Sequence, residues 1–125
     1  MYSREILDHF RKPRNARAMA NADGVGRAIN PSCSDVVEFY IKVDAAGLTV
    51  IDASFKAQGC VACIAAASVT TELVLGQSLD AALGLGKETV AKALGGVPPA
   101  KMACSMISPT ALHEAIADYR KRVGA

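Results

Sequence analysis

The chain has 125 residues, of which 51% are hydrophobic, and it contains no tryptophan. This length fits one domain spanning 1–125, with an aliphatic, alanine-rich core. A net charge of +2 is too small to indicate binding to nucleic acid or to a membrane, and no apolar run approaches the roughly 18 residues of a membrane span. The chain begins with a helical pattern and not a signal peptide, which predicts a cytosolic protein whose thiols stay reduced.

The first thirty residues predict a helix, a loop and an edge strand. Apolar side chains share one face of a helix over residues 3–11, and Pro13 stops it. Residues 12–23 are polar and predict a loop. A short edge strand is expected over 24–29.

Two longer strands follow and form a hairpin. Residues 36–43 and 48–57 alternate apolar and polar side chains on either side of a turn that contains glycine. This alternation predicts one buried and one exposed face of the sheet, with Ile51 on the same side as Ala53 and Phe55.

The second half of the chain predicts helices. Residues 61–75, 78–84 and 87–94 each have a helical pattern that ends at glycine. Residues 97–101 are expected to be extended because of two prolines. Ser108 and Pro109 predict the cap and first turn of a final helix, whose buried face holds Leu112, Ile116, Tyr119 and Val123. The order of elements predicts an α+β fold, in which a small antiparallel sheet of about three strands carries helices packed on one face.

Four cysteines lie near the ends of these predicted elements. Cys33 precedes the hairpin, Cys60 and Cys63 follow it at a helix start, and Cys104 precedes the final helix. Thiolates brought together from converging loops are typical ligands of a metal ion or an iron–sulfur cluster. Asp35, two residues after Cys33, is a candidate oxygen ligand or base, or else a solvated residue at the start of a strand.

Disulfide and dithiol redox roles for the cysteines are less favoured. Disulfides are rare in a reducing cytosol, and a thioredoxin-type pair at Cys60 and Cys63 would need a βαβ context. Cys63 has two interpretations that stay open, a ligand or a small buried residue of an apolar helical stripe. His9 and His113 are expected to be surface or partly packed residues and not ligands.

Several motifs in order resemble one family. They are D-H-F and K-P-R-N within residues 8–15, P-S-C-S-D at 31–35, F-K-A-Q-G-C at 55–60, V-P-P-A-K at 97–101, A-C-S at 103–105 and A-I-A-D-Y at 115–119. Along nearly its whole length, the chain resembles the IscU/NifU-type iron–sulfur cluster assembly scaffolds.

The resemblance implies a ligand set and a function. It implies that Cys33, Cys60 and Cys104 bind a 2Fe–2S cluster and that Asp35 keeps the cluster labile. We expect Asp35 or Cys63 to be the fourth ligand. Family members receive sulfur from a cysteine desulfurase, accept iron and electrons, build a 2Fe–2S cluster, and donate it to apo iron–sulfur proteins. We therefore expect a scaffold and not an enzyme, with Cys104 as first acceptor of persulfide sulfur. Three thiolates and one weaker ligand suit transient storage.

The resemblance also implies protein partners. The segment Val97, Pro98, Pro99, Ala100 and Lys101 is similar to the one that a dedicated Hsp70-type chaperone recognises with its co-chaperone. Whether the chain forms a homodimer is left open by the sequence.

Three departures from the family pattern stand out. Ala103 replaces the usual histidine, Ser34 replaces a glycine, and Cys63 replaces a small residue. A thiolate gained at Cys63 could take the place of the imidazole lost at position 103.

Two alternative functions involve zinc. In the first, Zn²⁺ binds Cys33, Asp35, Cys60 and Cys104 in a sulfur acceptor that activates a desulfurase. Those relatives usually carry an insertion before the last cysteine, and the connection over 95–99 is short for one. In the second, all four cysteines form a structural zinc module, which would not need Asp35 or the proline–lysine segment.

Overall fold

The computed structural model describes residues 2–31 and 34–124, leaving out the side chains of Ala103 and Cys104. The elements in chain order are α1 (Arg4–Arg11), β1 (Gly24–Asn30), β2 (Asp35–Val43), β3 (Val50–Gln58), α2 (Val61–Val74), α3 (Leu79–Leu83), α4 (Lys87–Ala93), α5 (Pro99–Cys104) and α6 (Ser108–Arg122). Within the described ranges, no helix is long and apolar enough to cross a membrane.

The strands form an antiparallel sheet in the order β1-β2-β3. In the central strand, Val37, Phe39 and Ile41 are fully buried, while their neighbours in sequence are only half-buried. This period of two directs one face of the sheet toward the helices. The predicted α+β fold is therefore confirmed.

A β-bulge at the start of β3 changes which side chains point to each face of the sheet. Lys42 pairs with Asp52 and Val43 pairs with Val50, so Ile51 is the extra residue. The bulge turns Val50 into the core and leaves Ile51 56% exposed. The prediction that Ile51 shares the face of Ala53 was wrong, because strict alternation fails where one strand carries an added residue.

Helix α2 lies at the centre of the molecule and packs on both sides. Cys63 and Ala67 belong to the cluster between α2 and the sheet. Ala65 and Ala66 belong to a second cluster with α1 and α4. A helix that is apolar all round is a buried one, and its alanines let neighbouring elements approach closely.

Helix α6 packs closely against β1. A Cβ atom at Gly26 would lie 2.1 Å from the Ala111 carbonyl oxygen, so only glycine allows this approach. Leu112 and Ile116 are buried as predicted, but Val123 is 58% exposed. The helix ends at Arg122, so Val123 lies beyond it and is not part of the buried face that the sequence predicts.

The proline segment is only partly extended. Pro98 is the N-cap residue of α5 and Pro99 is its first helical residue. The prediction that residues 97–101 are extended is therefore wrong from Pro99 onward. Proline fits the first turn of a helix, because the N–H it lacks has no partner within the helix there. As a result Cys104 ends α5 and does not directly precede α6.

The start of α6 also differs from the expectation. Ile107 is the N-cap residue and Ser108 is the first helical residue, so Ser108 is not the predicted cap. The Ser108 hydroxyl instead lies 2.9 Å from Thr70 Oγ1 in α2, and both residues are buried. This hydrogen bond ties the start of α6 to α2.

Hydrogen bonds attach the loop after α1 to α2 and β3. The Arg14 N–H donates to Ser68 Oγ (2.8 Å), and the Asn15 side-chain amide donates to Thr71 Oγ1 (3.0 Å). The Phe55 N–H donates to the Asn15 carbonyl oxygen (3.0 Å). The K-P-R-N motif therefore has a structural role, because it covers the edge of β3.

His9 is buried against α2. Its Nδ1 atom lies 2.7 Å from Ser68 Oγ, and its Nε2 atom lies 3.5 Å from Glu72 Oε1. Burial lowers the pKa of His9, and the Arg14 guanidinium lowers it further, while Glu72 opposes both effects. The folded chain therefore favours neutral His9, and its contacts with Ser68 and Glu72 show that it is a packed residue.

The pKa of His9 predicts how stability depends on pH. Its folded pKa lies below the ordinary value of about 6.5, so the unfolded chain takes up a proton more readily. The stabilisation should be complete above about pH 6.5 and should decline as the pH falls toward the lowered folded pKa. Urea unfolding at about pH 7.5 and about pH 5.5 should show a larger loss for the native chain than for His9→Gln. An equal loss in both proteins would contradict this assignment.

Candidate functional site

Cys60 lies at the start of α2, directly after β3. It is the N-cap residue of the helix, and its thiol is half-buried and not in a disulfide. The positive end of the helix dipole favours an anionic group at this position. Cys60 therefore presents its sulfur at the N-terminal end of α2.

Asp35 begins β2 and faces Cys60. It is only 2% exposed, and its Oδ2 atom lies 3.9 Å from Cys60 Sγ. A buried carboxylate needs polar partners to offset its desolvation. The structure thus excludes the interpretation of Asp35 as a solvated strand residue.

Ser105 joins these two side chains. Its hydroxyl oxygen lies 3.0 Å from Cys60 Sγ and donates to Asp35 Oδ2 over 3.2 Å. The sequence did not predict Ser105 as a site residue. Its only signal there was its place in the A-C-S motif, next to Cys104.

Gly59 makes the close approach of Asp35 and Cys63 possible. A Cβ atom at position 59 would lie 2.6 Å from Asp35 Oδ1 and 3.1 Å from Cys63 Sγ. The Asp35 carboxylate and the Cys63 sulfur therefore lie where a side chain at position 59 would collide with them. Glycine is needed here for room and not for a positive φ angle.

Cys63 lies in the first turn of α2 and is fully buried. It belongs to the core cluster between α2 and the sheet. This placement matches the interpretation of Cys63 as a small packed residue. Its position beside Gly59 also brings it near Asp35.

Of the five predicted ligands, the structure brings Asp35, Cys60 and Cys63 to one end of the sheet. Cys33 and the side chain of Cys104 lie outside the described residues. Among the residues that are described, no three His, Cys, Asp or Glu side chains form a group with metal-binding geometry. The backbone of Cys104 ends α5, immediately before Ser105.

Ser34, between Cys33 and Asp35, has an unusual backbone conformation. Its φ angle is +57°, in the left-handed region that glycine adopts readily. The departure from the family's glycine thus places a serine where it is strained by about 1 kcal/mol. This strain is located directly beside the site.

The fold and the site define a small α+β protein with a thiol and a carboxylate at the start of a buried helix, a pairing suited to iron or an iron–sulfur cluster. The NifU-like N terminal domain family matches residues 1–125, and the chain belongs to this family.

Curated relatives and a solved structure agree with this family. The chain is 43% identical over 124 residues to the iron–sulfur cluster assembly scaffold protein IscU 1 of Archaeoglobus fulgidus, covering 99% of this chain and 80% of the relative. It is 40% identical over 124 residues to the IscU scaffold of Escherichia coli, covering 97% and 95% of the two chains. The crystal structure of the N-terminal part of a nitrogen-fixing NifU-like protein from Brucella abortus matches with a TM-score of 0.75 at 19% identity, over 96% and 94% of the two chains. This last match is a likeness of fold.

Substitution of Gly59 should disturb the site directly. In Gly59→Ala, the new methyl group would overlap Asp35 Oδ1, so the carboxylate or the start of α2 must shift. Overpacking of this kind costs about 1–3 kcal/mol in unfolding free energy, which urea denaturation measures. Gly84→Ala is the control, since the φ angle of Gly84 is −81° and its nearest added contact is 3.3 Å. The control should lose clearly less unfolding free energy than Gly59→Ala, because its nearest added contact is 3.3 Å and not 2.6 Å, and equal losses in the two variants would refute the steric explanation.

Proposed function

We propose that this chain assembles a 2Fe–2S cluster from iron and desulfurase-derived sulfur and then transfers it to apo iron–sulfur proteins. The chain is an IscU-type iron–sulfur cluster assembly scaffold and not an enzyme. The cluster is the cargo of this scaffold. The cluster type, the individual ligands and the partners are the parts that we propose.

The contact between Cys60 and Asp35 is the observation that best supports the proposal. A soft sulfur and a hard carboxylate oxygen lie 3.9 Å apart at the start of α2. Iron in clusters prefers thiolate ligands, so a carboxylate in the ligand set holds the cluster less firmly. A mixed ligand set of this kind suits a protein that must release what it builds.

Chain connectivity supports Cys33 and Cys104 as the remaining ligands. Consecutive Cα atoms are about 3.8 Å apart. Cys33 is two residues from Asp35, and Cys104 is adjacent to Ser105, whose hydroxyl contacts Cys60. Both cysteines are therefore tethered within a short distance of the described pair.

Asp35 is our choice for the fourth ligand. Its carboxylate is already oriented among polar groups at the site, through Cys60 and Ser105. Cys63 packs in the apolar cluster between α2 and the sheet. Cys63 is fully buried there, so it contributes apolar packing to the core.

Both proposed partners would bind at or near α5. A cysteine desulfurase would deliver persulfide sulfur to Cys104 at the end of α5. Pro99 and Ala100 are exposed at the start of α5, so an Hsp70-type chaperone and its co-chaperone would have access to residues 97–101. In the cluster-free form the same ligands suit Zn²⁺. The cytosolic location stays a prediction. Whether two chains form a homodimer that shares one cluster stays open.

Anaerobic reconstitution tests the proposed function. We expect the protein, supplied with ferrous iron, cysteine, a cysteine desulfurase and a reductant that converts the delivered persulfide sulfur to sulfide, to develop visible sulfur-to-iron charge-transfer bands with about two irons and two sulfides per site. Cys60→Ser should lose most of this absorbance, because a hydroxyl is a poor ligand for cluster iron. A colourless protein that keeps one tight zinc under these conditions would refute the proposal.

Paired variants test the fourth ligand. Asp35→Cys replaces the hard oxygen ligand with a thiolate, so the visible bands should shift and the cluster should survive several-fold longer. Cys63→Ala should leave both the spectrum and the lifetime unchanged, while lowering stability by about 1 kcal/mol through lost packing. Absorbance decay in the presence of a chelator measures the lifetime. A changed spectrum in Cys63→Ala would identify Cys63 as a ligand instead.

A further inference from the structure

We propose that Ser105 is a positioning residue of the metal site, whose hydroxyl holds the Asp35 carboxylate and the Cys60 sulfur in the arrangement that receives iron. This inference rests on the proposed function, since it assigns a role in the same site. Ser105 is not one of the ligands, and it acts through the two side chains that it contacts.

The distances show that Ser105 is the bridge between them. Its oxygen is 3.0 Å from Cys60 Sγ and 3.2 Å from Asp35 Oδ2, whereas the direct distance from sulfur to carboxylate is 3.9 Å. Hydrogen bonds weaken as they lengthen. The orientation of each ligand therefore depends more on Ser105 than on the other ligand.

The donors and acceptors of the three groups fit one arrangement. Ser105 has a single hydroxyl proton, and an ionised carboxylate only accepts. Ser105 donates to Asp35, which leaves its oxygen as the acceptor toward Cys60 whenever Cys60 is a thiol. In this arrangement one hydroxyl fixes the orientation of two ligands.

The backbone of Ser105 is itself held in place. Its N–H donates to the Lys101 carbonyl oxygen over 2.9 Å and caps the end of α5. The next residue, Met106, is buried in the cluster between α1, α2 and α4. Ser105 is 0% exposed. The hydroxyl thus extends into the site from an anchored part of the chain.

Removal of this hydroxyl should leave the fold intact and loosen the ligands. A buried carboxylate that loses a donor tends to reorient toward other partners. Removal of a group that hydrogen-bonds a metal ligand and orients it typically weakens metal binding by about 10–100-fold. We therefore expect weaker binding of a thiolate-seeking metal ion in Ser105→Ala.

The chain offers a matched control three residues away. Ser108 is also fully buried and also donates or accepts one hydroxyl hydrogen bond, with Thr70 Oγ1 at 2.9 Å. The Ser108 hydroxyl ties the start of α6 to α2, and in the described structure it contacts neither Asp35 nor Cys60. Ser108→Ala therefore removes the same atom and a similar restraint without touching the ligands.

Titration with Co²⁺ under anaerobic conditions tests the proposal on the metal-free chain. Ser105→Ala should bind Co²⁺ about tenfold more weakly than the native chain, and its visible Co²⁺ bands, which report ligand geometry, should shift. Ser108→Ala should match the native affinity to within about twofold and keep the native bands. Urea unfolding of all three proteins shows whether the two variants have lost similar stability.

The outcomes separate the two proposals. Native affinity in Ser105→Ala, or an equal loss in Ser108→Ala, would overturn the positioning role. If the variants rank as expected but the native chain assembles no cluster with iron and a desulfurase, the role of Ser105 in metal binding stands and the proposed function fails.

Discussion

The burial of α2 on two sides is the constraint on which the rest of the structure depends. Its alanines contact the sheet on one side and α1 and α4 on the other. A helix packed in this way cannot rotate or slide without opening one of two clusters. Its first turn is therefore fixed relative to β2, and with it the position of Cys60. The loop after α1 and the Ser108 hydroxyl strengthen the same packing.

Close packing at Gly59 then brings the polar groups of the site together. The absent side chain leaves room for Asp35 and Cys63 on one side of the chain. A buried carboxylate is unfavourable unless hydrogen bonds satisfy it, and Ser105 supplies one. The thiol and the carboxylate are thus held close together by the protein before any metal is bound. Under the proposed function, this arrangement would combine ordered ligands with one weaker ligand, which suits assembly followed by transfer.

Local patterns predicted most of the elements, and their failures have physical causes. The alternation in β2 identified Val37, Phe39 and Ile41 as core residues. The same rule failed at Ile51, since a bulge depends on how two strands pair and not on either strand alone. The prediction of an extended segment failed at Pro99, because proline is favourable in the first turn of a helix. The motif residues Arg14 and Asn15 form hydrogen bonds that no periodicity would reveal.

The sequence by itself determined the family and the order of every element except α5, and it supplied the proposed types of ligand, because periodicity, turn residues and motifs are local properties of the chain. Only the tertiary structure decided which side chains meet at the site. Asp35 is separated from Cys60 by 25 positions and from Ser105 by 70, and Cys60 is separated from Ser105 by 45. Contacts over such separations arise from the packing of α2 against the sheet and from the placement of Ser105 at the end of α5. For this reason Ser105 emerged only from the structure, whereas Cys60 and Asp35 were already visible in the sequence.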